Sequence, residues 1–327
     1  MKSAIRLISS LLPFVIIGGL LYAGIFIKPK SVGASVAPPV LSPRDIFYGI
    51  AVPTQSVVWA VGQKGKIVRS EDAGKTWVAQ KVPLRTNFQS IATWSAQRAI
   101  VVGNAGSVLV TNDGGLHWQA VANVPLNAEG QKLLRARAAT DGRAWIVGEF
   151  GLILSSIDFG ATWTSVGKKE DIAWNDLAVG PSAMVAVGEF GQIRRSSDGG
   201  KSWSDISSPV KSSLTSVAMR ADGMAIAVGL DGVILVSSNE GTSWQRLPSG
   251  TAEHLFSVAS GPNGWYAVGD QGVYLAAGDD SKIWKSKHFA ARYYGWHTDV
   301  QLLSGALYVA GKTLSVLAAD GNFIHFK

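Results

Sequence analysis

One eight-residue segment recurs along this chain and constrains its fold more than any other feature. Its clearest copy, SSDGGKSW, occupies Ser196–Trp203. The other complete copies keep a Ser or Thr, an Asp or Asn two positions later, a Gly two positions further on and a final Trp. Successive tryptophans are 40 to 45 residues apart. A regular period of this length indicates a repeat protein in which each unit is one supersecondary element.

The residues of this segment, which we call the Asp turn, predict a structural role. The hydroxyl and the carboxylate can accept backbone N–H hydrogen bonds inside a tight turn. The Gly supplies a positive φ, and the Trp buries its ring between neighbouring sheets. The positions concerned are Ser70, Asp72, Gly74 and Trp77; Asp113, Gly115 and Trp118; Ser156, Asp158, Gly160 and Trp163; Ser196, Asp198, Gly200 and Trp203; Ser237, Asn239, Gly241 and Trp244; and, in a degenerate copy, Asp279 and Trp284. Each unit needs one such turn, so the turn itself does not predict catalysis.

A second motif, Val-Gly-x-x-Gly, begins 16 residues before each of these tryptophans. β-branched and small apolar residues between Gly or Asp-Gly junctions make each unit four short strands. Units of about 40 residues with four strands are typical of propeller blades. The sequence therefore predicts an all-β, seven-bladed β-propeller with Asp-box turns over Asp45–Lys327. Eight blades are the alternative, if Ser31–Pro43 supplies more than a closing strand.

The N-terminal segment Leu7–Ile27 contains 21 uncharged residues, which is long enough for a transmembrane helix. We expect a short tail at 1–6, a single-pass anchor at 7–27, a linker at 28–44 and the propeller at 45–327. A cleaved signal peptide is the alternative. Basic residues flank the segment evenly. A short tail before a large domain nevertheless favours the inner (cytoplasmic) membrane, with the propeller on the exported, periplasmic side.

Composition excludes several functions. Five basic residues and no acidic residue precede Asp45, and the rest of the chain carries 25 basic and 23 acidic residues. The excess charge therefore lies beside the predicted anchor, where it attracts anionic lipid, and nucleic acid is not a predicted partner. The chain has no cysteine, which removes thiolate nucleophiles and cysteine metal sites. Scattered histidines and the short acidic turn Gly278–Ser281 do not make a metal site. We expect neither a metal nor a cofactor.

Positions that break the repeat carry more functional information than those that keep it. The two central residues of Val-Gly-x-x-Gly vary, and two adjacent units share a Glu-Phe pair, Glu149-Phe150 and Glu189-Phe190. We expect these turns on the face opposite the Asp turns. An exposed Phe beside an acid, doubled at neighbouring sites, is typical of an interaction patch. The alternative is recent duplication of one blade with the Phe packed inward.

The innermost strand of the third unit departs from the repeat as well. Arg135 and Arg137 stand where other units have small residues. We expect them to point into the central channel, either as an internal ion pair with Glu149 or as an arginine cluster for an acidic partner segment. The predicted partner-binding residues are Arg135, Arg137, Glu149, Phe150, Trp174, Glu189 and Phe190.

The Asp turn also occurs in sialidases and related glycoside hydrolases, so their chemistry has to be considered. A sialidase needs an arginine triad, a Tyr–Glu nucleophile pair and an acidic Asp, and nothing in this sequence places such groups on one face. A glycoside hydrolase, or a propeller that binds a glycan without cleaving it, is the alternative function. A convergent carboxylate pair about 5–9 Å apart in a cleft would favour the enzyme.

The combined pattern, Val-Gly-x-x-Gly followed by Ser-x-Asp-x-Gly-x-[Ser/Thr]-Trp, resembles the photosystem II stability/assembly factor family of propellers. The resemblance covers Asp45–Lys327. It implies a non-catalytic scaffold that holds membrane subunits, partly through a basic patch, for which Arg135 and Arg137 are the matching positions. Family members are typically secreted or lipid-modified, whereas this chain has an apparent anchor and no cysteine for lipid attachment. We expect a membrane-anchored assembly or accessory factor that binds an integral-membrane or envelope protein.

Overall fold

A computed structural model describes residues 2–26 and 39–326 of the chain. Helix α1, Lys2–Phe26, begins five residues before the apolar run and contains Pro13. The chain divides into two units, the second of which begins at Val40. Within the described ranges, no helix combines the length and hydropathy that a membrane span requires, so the anchor stays a prediction. The predicted linker at 28–44 falls largely on residues 27–38, outside the described residues.

The second unit consists of seven four-stranded antiparallel sheets, each built from four consecutive strands in chain order. The blades are β1 Phe47–Ala51, β2 Val58–Gly62, β3 Ile67–Ser70 and β4 Val78–Ala79; β5 Phe88–Thr93, β6 Ala99–Gly103, β7 Val108–Thr111 and β8 Gln119–Ala120; β9 Leu133–Ala138, β10 Ala144–Gly148, β11 Ile153–Ser156 and β12 Thr164–Ser165; β13 Trp174–Val179, β14 Met184–Gly188, β15 Ile193–Ser196 and β16 Ser204–Ile206; β17 Leu214–Met219, β18 Ala225–Gly229, β19 Ile234–Ser237 and β20 Gln245–Leu247; β21 Leu255–Gly261, β22 Gly264–Gly269, β23 Val273–Ala277 and β24 Trp284–His288; and β25 His297–Leu303, β26 Ala306–Gly311, β27 Ser315–Leu317 and β28 Phe323–His325. The predicted seven-bladed propeller is confirmed.

The second strand of each blade is sandwiched between neighbouring sheets, which explains its continuous apolar sequence. In β2, for example, all five residues are buried. The terminal Gly of this strand is required by close approach, because a Cβ added to Gly62 would lie 2.0 Å from the carbonyl oxygen of Ile46. The Val-Gly half of the second motif is therefore a packing requirement, and only the two residues after it are free to vary.

The core lies between blades, and the Asp-turn tryptophans contribute to it. Trp118 of blade 2 packs edge-on against Trp59 of blade 1, with ring centroids 5.7 Å apart. Trp77 packs in the cluster shared by blades 1 and 7, which includes Tyr308. Each such ring buries area between two sheets, so the turn that holds it also holds adjacent blades together.

The opening segment, Ser196–Trp203, illustrates the Asp turn. Ser196 Oγ accepts the Gly200 N–H at 2.9 Å and donates to Asp198 Oδ1 at 2.8 Å. Asp198 in turn accepts the Ser202 N–H and hydroxyl, at 2.9 and 2.6 Å. The Trp203 indole N–H donates to the Gly200 carbonyl at 3.1 Å. All of these bonds lie within one turn, between the third and fourth strands.

Two copies of the turn depart from this pattern at the central acid. Asn239 keeps the geometry with an amide, because its Nδ2 donates to the Ser243 hydroxyl at 2.9 Å where an Asp would accept. Asp279 does not accept these hydrogen bonds within its own turn. It instead accepts a hydrogen bond from Arg220 Nη1 of the preceding blade at 2.9 Å. The Asp turn therefore tolerates an amide, and its degenerate copy has become a contact between blades.

The ring closes without exchange of strands, because blade 1 and blade 7 are each made of four consecutive strands. Side chains join them instead. Thr298 Oγ1 donates to the Tyr48 carbonyl at 3.1 Å, Asp299 Oδ2 accepts the Ile50 N–H at 3.1 Å, and the Tyr308 hydroxyl donates to the Ala73 carbonyl at 3.1 Å.

The Asp turns predict a specific acid sensitivity. Hydrogen bonds from the Thr76 side chain and backbone lower the pKa of Asp72 to about 2, and the Ser202 side chain lowers the pKa of Asp198 below its usual range. A carboxyl whose pKa is lower in the folded state stabilises the fold above its unfolded value of about 3.9. It loses that contribution as the pH falls through the folded pKa. We expect the melting temperature to fall between pH 4 and pH 2 (about the window between these pKa values).

Asn substitution provides the measurement. Asp72→Asn combined with Asp198→Asn should reduce the slope of melting temperature against pH in that window, followed by circular dichroism. The reverse change Asn239→Asp should increase the slope, because it adds a carboxyl to a turn of the same geometry. Equal slopes in all three proteins would contradict the prediction.

Candidate functional site

The first strands of the seven blades surround a central channel. The second residue of each first strand lines its opening on the Val-Gly-x-x-Gly face. We call these residues the mouth ring: Tyr48, Gln89, Leu134, Asn175, Thr215, Phe256 and Thr298. Together with Arg135, Glu189, Ser213 and Leu230 they line a cavity of about 440 Å³, the channel mouth. A cavity of this size, about 300–1,000 Å³, is typical of a ligand site.

A second ring lies one residue further along these strands, where each residue pairs with the residue that precedes the terminal Gly of the second strand. We call it the lock ring: Gly49, Ser90, Arg135, Asp176, Ser216, Ser257 and Asp299. Three of its seven members are charged, and all three are buried. Charged side chains are rarely buried unless they are paired.

Four of the seven lock-ring side chains connect their blade to the next through its backbone. Their oxygens accept the N–H of the residue after the lock position in the following blade. The four observed bonds are Ala136 N–H to Ser90 Oγ at 3.2 Å, Val217 N–H to Asp176 Oδ2 at 3.1 Å, Val258 N–H to Ser216 Oγ at 3.3 Å and Ile50 N–H to Asp299 Oδ2 at 3.1 Å. The first strand pairs with only one other strand of its sheet, so alternate N–H groups face away from the ladder and can cross between blades.

Arg135 and Arg137 are both neutralised within the channel. Arg135 Nη1 lies 3.2 Å from Asp299 Oδ2, and Arg135 Nε lies 3.7 Å from Asp176 Oδ1. Arg137 binds Asp176 bidentately, with Nε–Oδ1 and Nη2–Oδ2 distances of 3.0 and 2.6 Å. Arg135 lines the channel mouth, whereas Arg137 lines a separate cavity of about 270 Å³ at the Asp-turn end. These arginines therefore form a structural ionic cluster and not a free basic patch.

The internal ion pair proposed from the sequence has a different acid. Glu149 was the expected partner, but its Oε2 accepts the Lys132 N–H at 2.7 Å and makes no ion pair with either arginine. The reason is topological, since Glu149 lies in the turn after the second strand, whereas Arg135 and Arg137 lie on the first strand facing the channel. The acids that meet them come from the first strands of blades 4 and 7.

The channel carboxylates are unsuited to acid catalysis. Burial opposes ionisation of Asp176, but the charges of Arg137 and Arg135 and the Ser216 hydroxyl outweigh it, so the pKa of Asp176 is lowered. Asp299 is occupied by Arg135, the Ile50 N–H and the Ser257 hydroxyl. A glycosidase acid needs a raised pKa and access to the scissile bond. Among the described residues, no cluster of His, Asp or Glu has the geometry to hold a metal ion.

The two Glu-Phe turns lie on the face of the channel mouth. Glu189 accepts the Ala173 N–H at 2.8 Å, as Glu149 accepts that of Lys132. Phe190 and Phe150 have φ values of 57° and 55°, and their exposed fractions are 66% and 37%. Phe190 thus projects into solvent from a left-handed backbone position, while Phe150 is more covered. Of the two acids, only Glu189 lines the channel mouth.

Trp174 does not belong to the binding rim that the sequence predicted. Its exposed fraction is 0%, and it packs with Trp145 and Met184 between blades 3 and 4. Trp174 is the first residue of a first strand, the position that Phe47 and Phe88 fill in other blades. Arg194 lies in the third strand of the same blade, β15. Its guanidinium is 5.0 Å from the centroid of the Trp174 ring and covers that ring.

Sequence reasoning missed Asp176 and Asp299. Each replaces the Ser or Gly of the lock ring, but Arg135 was compared with the small residues of other first strands, and the first strands of blades 4 and 7 were left out of that comparison. Counting back from Val-Gly across the first hairpin would have aligned Arg135, Asp176 and Asp299 as the three charged members of one ring. The sequence therefore contains, at aligned positions, the two acids whose charges balance those of Arg135 and Arg137.

Comparison with known proteins agrees with this geometry. Residues 76–322 match the family model of the photosynthesis system II assembly factor YCF48. The chain belongs to this family. A comparison of the sequence with curated proteins gave no significant match.

Solved structures share the YCF48 fold. The structure of YCF48 bound to D1 peptide has a TM-score of 0.68 at 19% identity and covers 82% of this chain and 91% of its own. YCF48 from Cyanidioschyzon merolae has a TM-score of 0.68 at 16% identity, with 83% and 95% covered. The GH74 xyloglucanase from Xanthomonas campestris has a TM-score of 0.67 at 14% identity, with 83% and 52% covered. At these identities the likeness shows the propeller fold alone.

The lock ring predicts a large difference between two aspartates. Asp299→Ala should lower the free energy of unfolding by about 3–5 kcal/mol, because it leaves Arg135 buried and short of a partner. Asp205, whose side chain is 77% exposed beside Arg194, provides the control. Asp205→Ala should cost less than about 1 kcal/mol, because Arg194 keeps its pair with Glu170. Urea denaturation of both variants measures the difference. Similar losses in the two would show that the lock ring contributes no more than a surface pair.

Proposed function

We propose that this YCF48-family chain is a non-catalytic, membrane-anchored scaffold, an assembly or accessory factor that binds a segment of an integral-membrane or envelope protein. Family membership supports the assembly role, and a YCF48 with the same fold binds a D1 peptide. The observation that carries the proposal is Phe190, which is exposed beside the channel mouth in a strained backbone conformation.

Phe190 is costly for the fold. A non-glycine residue in the left-handed region costs roughly 1–2 kcal/mol, and an aromatic ring at 66% exposure recovers little of it by burial. The equivalent residue is also left-handed in five other blades, where it is Lys64, Ala105, Phe150, Asp231 or Gln271, so the turn imposes this conformation whatever the side chain. Of these types, only aspartate is tolerated readily in the left-handed region. What distinguishes Phe190 is a large aromatic ring left exposed at this position, which indicates a side chain kept for contact with a partner.

The channel supports binding better than catalysis. Its buried carboxylates, Asp176 and Asp299, are occupied by arginines and backbone N–H groups, and the mouth contributes a single acid, Glu189. Acid–base hydrolysis of a glycosidic bond requires two available carboxyl groups. The likeness to a GH74 xyloglucanase concerns the fold only, so it does not by itself support glycan binding or cleavage.

The membrane part of the proposal rests on sequence. The 21 uncharged residues Leu7–Ile27 match the span of a bilayer core. We infer a single-pass protein of the inner membrane with its propeller on the periplasmic side. Anchoring would hold the mouth and Phe190 near nascent membrane proteins and raise their effective concentration.

Fractionation tests the anchor. The full chain should resist extraction from membranes by alkaline carbonate, and protease added outside spheroplasts should digest the propeller. A variant that lacks residues 2–27 provides the control and should be recovered in the soluble fraction. An intact mass that lacks the N-terminal segment would show cleavage and overturn the anchor.

A substitution at Phe190 tests the binding face. Phe190→Asn should retain or raise the melting temperature, because Asn adopts the left-handed conformation readily. It should reduce recovery of the membrane partner about tenfold, equivalent to about 1.4 kcal/mol. The measurement is crosslinking in intact cells, affinity purification of the full chain and quantitative mass spectrometry.

Ile157→Asn is the matched control for Phe190→Asn. Ile157 is an apolar residue with an exposed fraction of 80%, but it lies in an Asp turn on the opposite face. Its substitution should leave partner recovery unchanged. Equal loss in both variants, or turnover of a glycan panel with no reproducible protein partner, would contradict the scaffold.

A further inference from the structure

We propose that the channel mouth of this chain receives a cationic side chain, the ammonium of a lysine or the guanidinium of an arginine, from the bound partner. The inference rests on the proposed function, since it names the group that enters the mouth when a partner segment lies across this face. It departs from the expectation of a basic patch for an acidic partner.

The fold uses part of the donor capacity of the mouth ring. Asn175 Nδ2 donates to the Leu214 carbonyl of the next blade at 2.7 Å. Thr215 and Thr298 donate their hydroxyl hydrogens to the carbonyls of Leu255 and Tyr48 in the same way, at 2.6 and 3.1 Å. Gln89 Nε2 donates to Asn104 Oδ1 at 2.9 Å. These bonds bind blade to blade or strand to turn, and they leave as donors one N–H each of Asn175 and Gln89 and the Tyr48 hydroxyl.

Acceptors remain in the mouth. Within the described residues, Asn175 Oδ1, Gln89 Oε1 and Glu189 Oε1 accept no hydrogen bond, and the two threonine hydroxyl oxygens keep lone pairs after donating. The bond that Glu189 does make, from the Ala173 N–H, uses its Oε2. A cavity rich in acceptors is complementary to a ligand rich in donors, and ammonium and guanidinium groups carry three and five donors respectively and no acceptor.

The charge of the mouth has the sign that suits such a ligand. Arg135 is the one cationic lining residue, and its side chain is only 8% exposed beside Asp299 and Asp176. The two arginines and two aspartates of the channel balance one another. Glu189 then stands as the one lining charge without an ionic partner among the described residues, which makes the mouth negative.

Aromatic rings complete the recognition of a cation. Tyr48 and Phe256 lie in the mouth ring, and Tyr48 is held in place by stacking on Trp296 and by a hydrogen bond from Gln63 Nε2 at 3.0 Å. A cation over an aromatic face gains about 0.5–2 kcal/mol. Phe190 follows Glu189 directly, so its exposed ring can contact the backbone of the segment that supplies the cation.

Blade 3 provides a built-in control. Glu149 occupies the same turn position as Glu189, makes the same backbone hydrogen bond at 2.7 Å and is followed by the same residue type. Glu149 does not line the channel mouth. Glu→Gln substitution at either position retains a carbonyl oxygen for that hydrogen bond and removes only the charge.

Calorimetric titration of the full chain in detergent tests the inference. The probes are capped pentapeptides, Gly-Gly-X-Gly-Gly, in which X is lysine, arginine, glutamine or glutamate. We expect the lysine and arginine peptides to bind at least about tenfold more tightly than the other two, with affinity falling as salt is raised. Glu189→Gln should reduce that preference about tenfold, while Glu149→Gln leaves it unchanged.

Three results would overturn the inference. They are tighter binding of the glutamate peptide, equal losses in Glu189→Gln and Glu149→Gln, and displacement of the cationic peptides by a neutral oligosaccharide such as cellotetraose.

The outcome is separable from that of the proposed function. If no cationic peptide binds while recovery of the partner still depends on Phe190, the inference fails and the scaffold stands. If the peptides bind through Glu189 and no membrane partner is recovered, the inference stands and the scaffold fails.

Discussion

The lock ring is the contact on which the arrangement of the blades depends. Apolar packing between sheets supplies most of the stabilising free energy, but it is non-directional and does not by itself fix how far one blade is rotated against the next. At four of the seven junctions, a side-chain oxygen that accepts the backbone N–H of the following blade sets that angle directly. The buried charges add a further requirement on the placement of the blades, because the free-energy cost of desolvating Arg135 is offset only if Asp176 and Asp299 both lie beside it. A scaffold with so rigid a channel can present fixed groups at its mouth.

The fold was predictable because the Asp turn and the Val-Gly pair are local requirements, each explained by bonds or close contacts within one blade. The site was only partly predictable. The Glu-Phe turns were found because they differ from a local consensus, and Arg135 and Arg137 were found as charges on an otherwise apolar strand. Their partners were not, because Asp176 and Asp299 meet Arg135 only when three first strands converge on one axis. Trp174 was misassigned for the same reason, since burial between blades leaves no mark on a single unit.

In the Val-Gly-x-x-Gly turn, some positions are required by the fold and a neighbouring position is available for contact with a partner. Its first Gly is fixed by a close approach to the neighbouring strand, and an acid in the next position accepts a backbone N–H as a staple. The residue after that is held left-handed and contributes nothing to the staple, so its side chain can be chosen for the outside. In blade 4 the turn serves both the fold and the site. Glu189 accepts a backbone N–H and also lines the mouth, while Phe190 faces solvent.

Each blade is one uninterrupted stretch of chain, so in evolution a whole blade could be copied, lost or traded as a unit. The lock-ring residues limit which of these rearrangements give a stable fold. Blades whose ring residue is Gly or Ser, such as those of Gly49 and Ser90, bring no charge to the axis. Blades 3, 4 and 7 must be inherited together, because any one of them in the wrong place would bury an unmatched charge at the axis. The buried charges of the channel therefore restrict the order in which the blades can follow one another.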